Sequence, residues 1–151
     1  MLAPVVTAHD LQSLVATVEA ELRDVDLRGV RVHDQGWENV VLETADGWIL
    51  RFPRNEGVAF EREVALLRRL DGRLPVPSPR VEWVGQRTRF AAYRTLTGAE
   101  YSEADYMAAS ARDRDRMAGS WAEVLAAMHV ALSAAEVDEL GVPLNRLTRR
   151  P

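Results

Sequence analysis

The sequence predicts an α+β chain. It is built as a helix, three strands, a second helix and two further strands, and only helices follow. Three observations carry this. Leu11, Leu14, Val15, Val18 and Leu22 recur at helical spacing near the start. Two short apolar runs, Asn39 to Thr44 and Trp48 to Phe52, flank Ala45-Asp46-Gly47, a tight-turn signal for a hairpin. Beyond Gly98 no strand signal returns, and long helical periodicity takes over.

Taken in order, Thr7 to Arg23 is expected as an amphipathic helix that covers a sheet, with Thr7 and Asp10 as a capping-box variant. Val30-Arg31-Val32 is a short alternating strand, and His33 to Glu38 is a loop with one glycine. Asn39 to Thr44 and Trp48 to Phe52 are the second and third strands. Pro53 is expected to stop the third, because proline cannot donate to a ladder. Val58 to Leu70 is a helix closed by Asp71-Gly72. Its apolar side holds Phe60, Val64, Leu67 and Leu70. Glu63 projects from that side and needs a partner, whereas Glu61 turns to solvent.

Leu74 to Pro79 is an extended Pro-rich connector. Arg80 to Val84 and Arg89 to Arg94 are expected as strands four and five, joined at Gly85-Gln86, which gives an antiparallel sheet. Ser102 caps a short helix through Asp105. Arg112 to Leu132 is a long helix with Met117, Trp121, Val124, Leu125, Met128 and Leu132 on one face. Glu136 to Leu140 adds a further turn, broken by Gly141-Val142-Pro143.

The 151 residues suffice for one core-forming domain. A formal charge of −4 argues against a nucleic-acid partner. Cysteine is absent, which excludes disulfides and thiolate metal sites. There is no membrane-length apolar run and no basic leader ahead of Leu2-Ala3-Pro4, so a cytoplasmic protein is expected. All 19 basic residues are arginine, so any cation that grips an anion here is a guanidinium.

The run GWENVVLETADGWILRFPRNEGVAFEREVALLRRL, followed by LPVPSPRVEWVG and YRTLTG, resembles the aminoglycoside and macrolide phosphotransferases. That family has a protein kinase-like fold. The resemblance spans roughly residues 30 to 129. It implies a kinase-like nucleotide-binding small lobe over residues 1–97, with the hinge and first helices of an incomplete large lobe over 98–151. It further implies that ATP or GTP is bound. Arg51 would grip the phosphates and Glu63 would orient it. Gly36, Trp37 and Asn39 match the nucleotide-positioning loop, and Val41 and Ile49 would cover one face of the base. Tyr93 would lie behind the base, with the Arg94 carbonyl and the Leu96 N–H meeting its edge.

The residues alone leave plainer readings open. Arg51 also reads as a surface cation on an edge strand, Glu63 as a carboxylate bonded elsewhere, and Gly36 as a simple turn residue. Val41 and Ile49 also read as core. His129 is read as structural, and the histidines lack metal-ligand spacing.

The family's His-Gly-Asp loop, its downstream Asn and its metal-binding Asp have no counterpart from Ala99 to Pro151. No catalytic or metal-binding residue is therefore expected. Mg²⁺ and a small-molecule hydroxyl acceptor would enter only with the missing lobe. The expectation is the nucleotide-binding half of a phosphotransferase, a fragment or truncated product that is inactive alone and self-associates through the exposed face of the long helix. The alternative is a kinase-like binding module without turnover.

Overall fold

A computed structural model describes residues 8–54, 59–99 and 101–142. Helix α1 (Ala8–Glu21) is followed by strands β1 (Arg31–His33), β2 (Asn39–Glu43) and β3 (Trp48–Pro53). Helix α2 (Ala59–Leu70), strands β4 (Trp83–Val84) and β5 (Ala91–Arg94), and helices α3 (Glu103–Ala108), α4 (Ala111–Val130) and α5 (Ala134–Glu139) complete the order. The five strands form one antiparallel sheet in the order β1-β2-β3-β5-β4. The expected Thr7, Val58 and tail positions lie outside the described residues. Among the described residues no helix is long and apolar enough to cross a membrane.

Strand alternation divides the sheet into two unlike faces. Val40, Leu42, Trp48, Leu50, Phe52 and Ala92 point to one side. There they form a closed core with Val18 of α1 and with Phe90, whose ring stacks on Phe52 at 5.2 Å. The α1 residues Leu11, Leu14 and Val15, with Leu22 just past its end, pack onto that core, so the helix covers the sheet as its spacing predicts. Glu21 at its C-terminal end accepts hydrogen bonds from the backbone N–H groups of Gln86 (2.6 Å) and Arg87 (3.0 Å), which fasten α1 to the β4–β5 turn.

The other face carries α2. Phe60 and Val64 bury themselves against Ala91, Val81 and Val84. Glu61 is exposed as expected and pairs with Arg89 at 2.9 Å. Gly47, at φ 84°, supplies the positive φ that turns β2 into β3. Both Ser102 and Ser133 form capping boxes, with Asp105 and Glu136 respectively.

Several strand boundaries depart from expectation, β1 running over Arg31–His33 and β2 ending at Glu43. Pro53 is part of β3, opposite Asn39, rather than the residue that stops it. Thr44 N–H donates to the Trp48 carbonyl (2.9 Å) and Arg54 N–H to the Glu38 carbonyl (2.8 Å), so the even-numbered residues of β3 make the ladder to β2. The Pro53 nitrogen faces the β5 side, beyond Ala91, where the pairing has ended; no ladder bond is lost. The fourth strand is only Trp83–Val84, not Arg80 to Val84, and the fifth begins at Ala91 rather than Arg89. Residues 74–82 form a connector without helix or strand, bent over 74–76. Only the Glu82 N–H reaches the sheet ahead of β4, donating to the Ala92 carbonyl at 2.9 Å.

Candidate functional site

Val41, Ile49, Arg51 and Tyr93 are the half-buried members of strands whose alternate residues are buried on the α1 side. Val41 pairs directly with Arg51 across β2–β3, and Ile49 with Tyr93 across β3–β5. The four side chains therefore form one patch on the face that α2 covers only in part. Arg51 lies on a strand paired on both sides, not on an edge strand. It makes an ion pair with Glu63 of α2, which gives the half-buried carboxylate the partner its position demands. Burial pushes the Tyr93 phenol above its ordinary range, while the nearby Arg51 charge pulls it the other way.

A cavity of about 420 Å³ opens beside this patch, lined by His33, Gly36, Trp37, Glu38, Asn39, Val41 and Arg51. A second, of about 100 Å³, continues under α2 between Arg51, Glu63, Phe60 and Pro53. Glu38, Asn39 and Arg51 line both. Space at Gly36 is tight: a Cβ there would stand 3.2 Å from the Asn39 carbonyl oxygen, which would have to give by a few tenths of an ångström. The loop is braced from behind. The Arg54 guanidinium donates from Nε to the Gly36 carbonyl (3.0 Å) and from Nη2 to the Asp34 carbonyl (2.6 Å).

Six of the expected site residues thus meet at the cavities: Arg51, Glu63, Gly36, Trp37, Asn39 and Val41. Ile49 and Tyr93 lie further along the same sheet face. Arg94 and Leu96 follow at the end of β5, outside the cavity lining. The Arg94 side chain goes to the opposite face, where its guanidinium lies 3.8 Å from the Trp48 ring centroid. Its backbone groups are turned away from β3, because Thr95 N–H makes the bond to Gly47 (2.9 Å) and the Ala92 carbonyl serves β4.

Sequence reasoning passed over His33, Glu38 and Arg54. His33 stands opposite Val41 in the β1–β2 register, and its Nε2 meets Glu43 Oε2 at 2.8 Å. That hydrogen bond, with the charge of Arg31 behind it, holds the Glu43 carboxyl below its ordinary range. The strand register would have found His33 once the hairpin was drawn; Arg54 gives no comparable signal.

A larger cavity, about 510 Å³, lies between the Pro-rich connector and α4, with Val76, Tyr101, Met117 and Trp121 in its wall. It contains none of the expected site residues; its polar lining is Ser120 and the Asp113–Arg116 ion pair (2.7 Å) within α4. The smaller cavities, which hold the paired Arg51 and Glu63, are the candidate site. Among the described residues no group of three or more His, Asp or Glu side chains is disposed to hold a metal ion.

A family model described as APH, phosphotransferase enzyme family, matches residues 29–149. A comparison with curated proteins gives no match. Among solved structures, the GDP and kanamycin complex of APH(2")-IIia aligns with a TM-score of 0.78 at 24% identity, over 89% of this chain and 47% of that one. Macrolide 2'-phosphotransferase type I aligns at 0.63 and 26% identity, over 91% and 48%. The streptomycin–ATP ternary complex of APH(2")-IIa aligns at 0.70 and 19% identity, over 95% and 47%. The chain therefore spans about half the length of the solved structures it matches, and the α+β architecture is the kinase-like one they share.

Proposed function

From its membership of the phosphotransferase enzyme family, we propose that this chain is the nucleotide-binding half of an O-phosphotransferase of the aminoglycoside or macrolide type. The single observation that carries the reading is the Arg51–Glu63 ion pair at the junction of two cavities lined by the Gly36–Asn39 loop. A guanidinium fixed by a carboxylate on the neighbouring helix, beside a glycine loop, is suited to hold phosphate oxygens bidentately.

Each residue then has one task. Arg51 donates to the phosphates of ATP or GTP, and Glu63 holds the guanidinium in place. Gly36, Trp37 and Asn39 close over the phosphates. Val41 and Ile49 cover one face of the base and Tyr93 backs it. The Arg94 carbonyl and the Leu96 N–H meet its polar edge. Mg²⁺ would supply neutralisation of the charge that develops on the phosphates, held by large-lobe residues rather than by those named here. Complexes in the solved relatives contain GDP, ADP or ATP, which supports a nucleotide without choosing between bases. Names of those relatives that include kanamycin, streptomycin and a macrolide support a hydroxylated small molecule as acceptor.

The chain from Ala99 onward has no His-Gly-Asp loop. Residues 1–151 are accordingly read as binding nucleotide without transferring phosphate. The second reading is a kinase-like module that binds without turnover. Self-association through α4 and a cytoplasmic location, where nucleoside triphosphates are abundant, belong to both readings.

A thermal-shift titration of the 151-residue chain with ATP and GTP tests the site. Stabilisation by at least one nucleotide, lost in Arg51→Ala, is expected. No stabilisation by either ends the nucleotide reading. Sustained Mg²⁺-dependent phosphate transfer by the same preparation would overturn the claim that it is inactive alone.

A further inference from the structure

Three carbonyls of the Asp34–Glu38 loop converge on a single residue that stands outside the cavity. Asp34 and Gly36 accept from the Arg54 guanidinium at 2.6 and 3.0 Å, and Glu38 accepts from the Arg54 backbone N–H at 2.8 Å. Arg54 lines neither cavity, whereas Gly36, Trp37, Glu38 and Asn39 line one or both. The guanidinium thus grips the loop from its outer side.

We infer that Arg54 is a positioning residue, which holds the loop carbonyls away from the phosphate site and presets the loop for an anionic ligand. The inference rests on the nucleotide reading above. A backbone that cradles an anion must offer N–H groups and withhold carbonyl oxygens, since the partial negative charge of a carbonyl repels phosphate. Each carbonyl engaged by Arg54 is directed at a donor outside the cavity. The two bonds to Asp34 and Gly36 are charge-assisted and use the guanidinium fork, a geometry that the single ammonium of lysine does not reproduce. The position of Arg54, directly after β3, ties loop and strand together. The strand that carries Arg51 therefore also sets the conformation of the loop over it.

The test compares wild type with Arg54→Ala and Arg54→Lys, and has two readouts. The first is affinity for ATP and GTP beside affinity for adenosine and guanosine, the nucleosides measured by competition. Arg54→Ala should weaken triphosphate binding roughly tenfold and leave nucleoside binding unchanged; Arg54→Lys should recover only part of the loss. Equal loss for nucleoside and triphosphate, or no loss, overturns the proposal.

The second readout needs no ligand. With fluorotryptophan incorporated, the ¹⁹F resonance of Trp37, identified by its absence in Trp37→Phe, reports on the loop. It should shift and narrow in Arg54→Ala while the resonance of buried Trp48 stays in place. An unchanged Trp37 resonance overturns the proposal whatever the nucleotide does. If wild type binds no nucleotide, the site reading has failed, and the inferred phosphate role of Arg54 fails with it.

Discussion

Arg51 in the middle of β3 and Glu63 in the second turn of α2 form an ion pair that joins the sheet to the helix on its open face. Both side chains are partly solvated, at 24% and 36% exposure, so the pair belongs to the class that adds only about 0.2–1 kcal/mol to folding. Its consequence is orientation rather than stability. Glu63→Gln is expected to change the unfolding free energy in urea by less than about 1 kcal/mol. It should also weaken binding of a nucleoside triphosphate about fivefold to tenfold. Calorimetric titration on the same preparation separates the two. A large loss of stability with unchanged affinity would make the pair a structural tie.

Gly85 offers a prediction about the sheet alone. A Cβ on that residue would lie 2.2 Å from the Thr88 carbonyl oxygen and 2.4 Å from Cδ1 of Phe90. Phe90 is fully buried, and its ring is stacked on Phe52 in the main core, so it cannot swing aside cheaply. Gly85→Ala should destabilise by about 1–3 kcal/mol, the cost of overpacking a core. Chemical denaturation checks this, with Gly98→Ala, where a Cβ meets nothing within 4 Å, as the control.

The parts of this chain that repeat on a short period were legible in its sequence. The alternation through Val40, Val41 and Leu42, and through Ile49, Leu50 and Arg51, assigns each side chain to a face of the sheet. It therefore predicts that Arg51 and Ile49 share one. The i+3 relation of Glu63 to Phe60 likewise predicts a carboxylate on the packed side of α2. Contacts with no local period were not legible. Arg54 reaches back 18 and 20 positions to Gly36 and Asp34, and Arg73 reaches forward 63 to Glu136. Nothing in the spacing of such residues announces these bonds. Pro53 was misread for a related reason: the rule against proline in a strand depends on which side its nitrogen faces, and that follows from pairing rather than from composition.

The face of α4 leads to a prediction in solution. Trp121, Leu125 and Met128 follow one another at helical spacing and are 64%, 50% and 49% exposed. Contiguous apolar surface of this kind favours association. Sedimentation of the 151-residue chain should show concentration-dependent self-association that is abolished by Trp121→Glu combined with Leu125→Glu. A monomer at all concentrations would show that this face does not draw two copies together.

The end of α2 sets a dependence on acid. Arg73 donates to Glu136 at 2.8 Å and to the Ala131 carbonyl at 2.8 Å, and Arg69 meets Glu136 at 3.5 Å and Glu139 at 3.0 Å. These bonds fasten the helix that carries Glu63 to the α4–α5 turn. The Glu136 carboxyl is held down to about 2, first by the Ser133 backbone N–H in its capping box and then by Arg73. The folded pKa is below the ordinary 4.5, so the folded state favours the ionised form. The stabilisation is complete above pH 4.5 and drains away as the pH falls from there toward 2. Glu136→Gln keeps a capping-box residue but removes the charge. Urea midpoints measured from pH 7 to pH 3 should fall less steeply for Glu136→Gln than for wild type over the acid part of that range, and the curves should run parallel above it. If the two curves are parallel throughout, Glu136 does not couple protonation to the docking of α2.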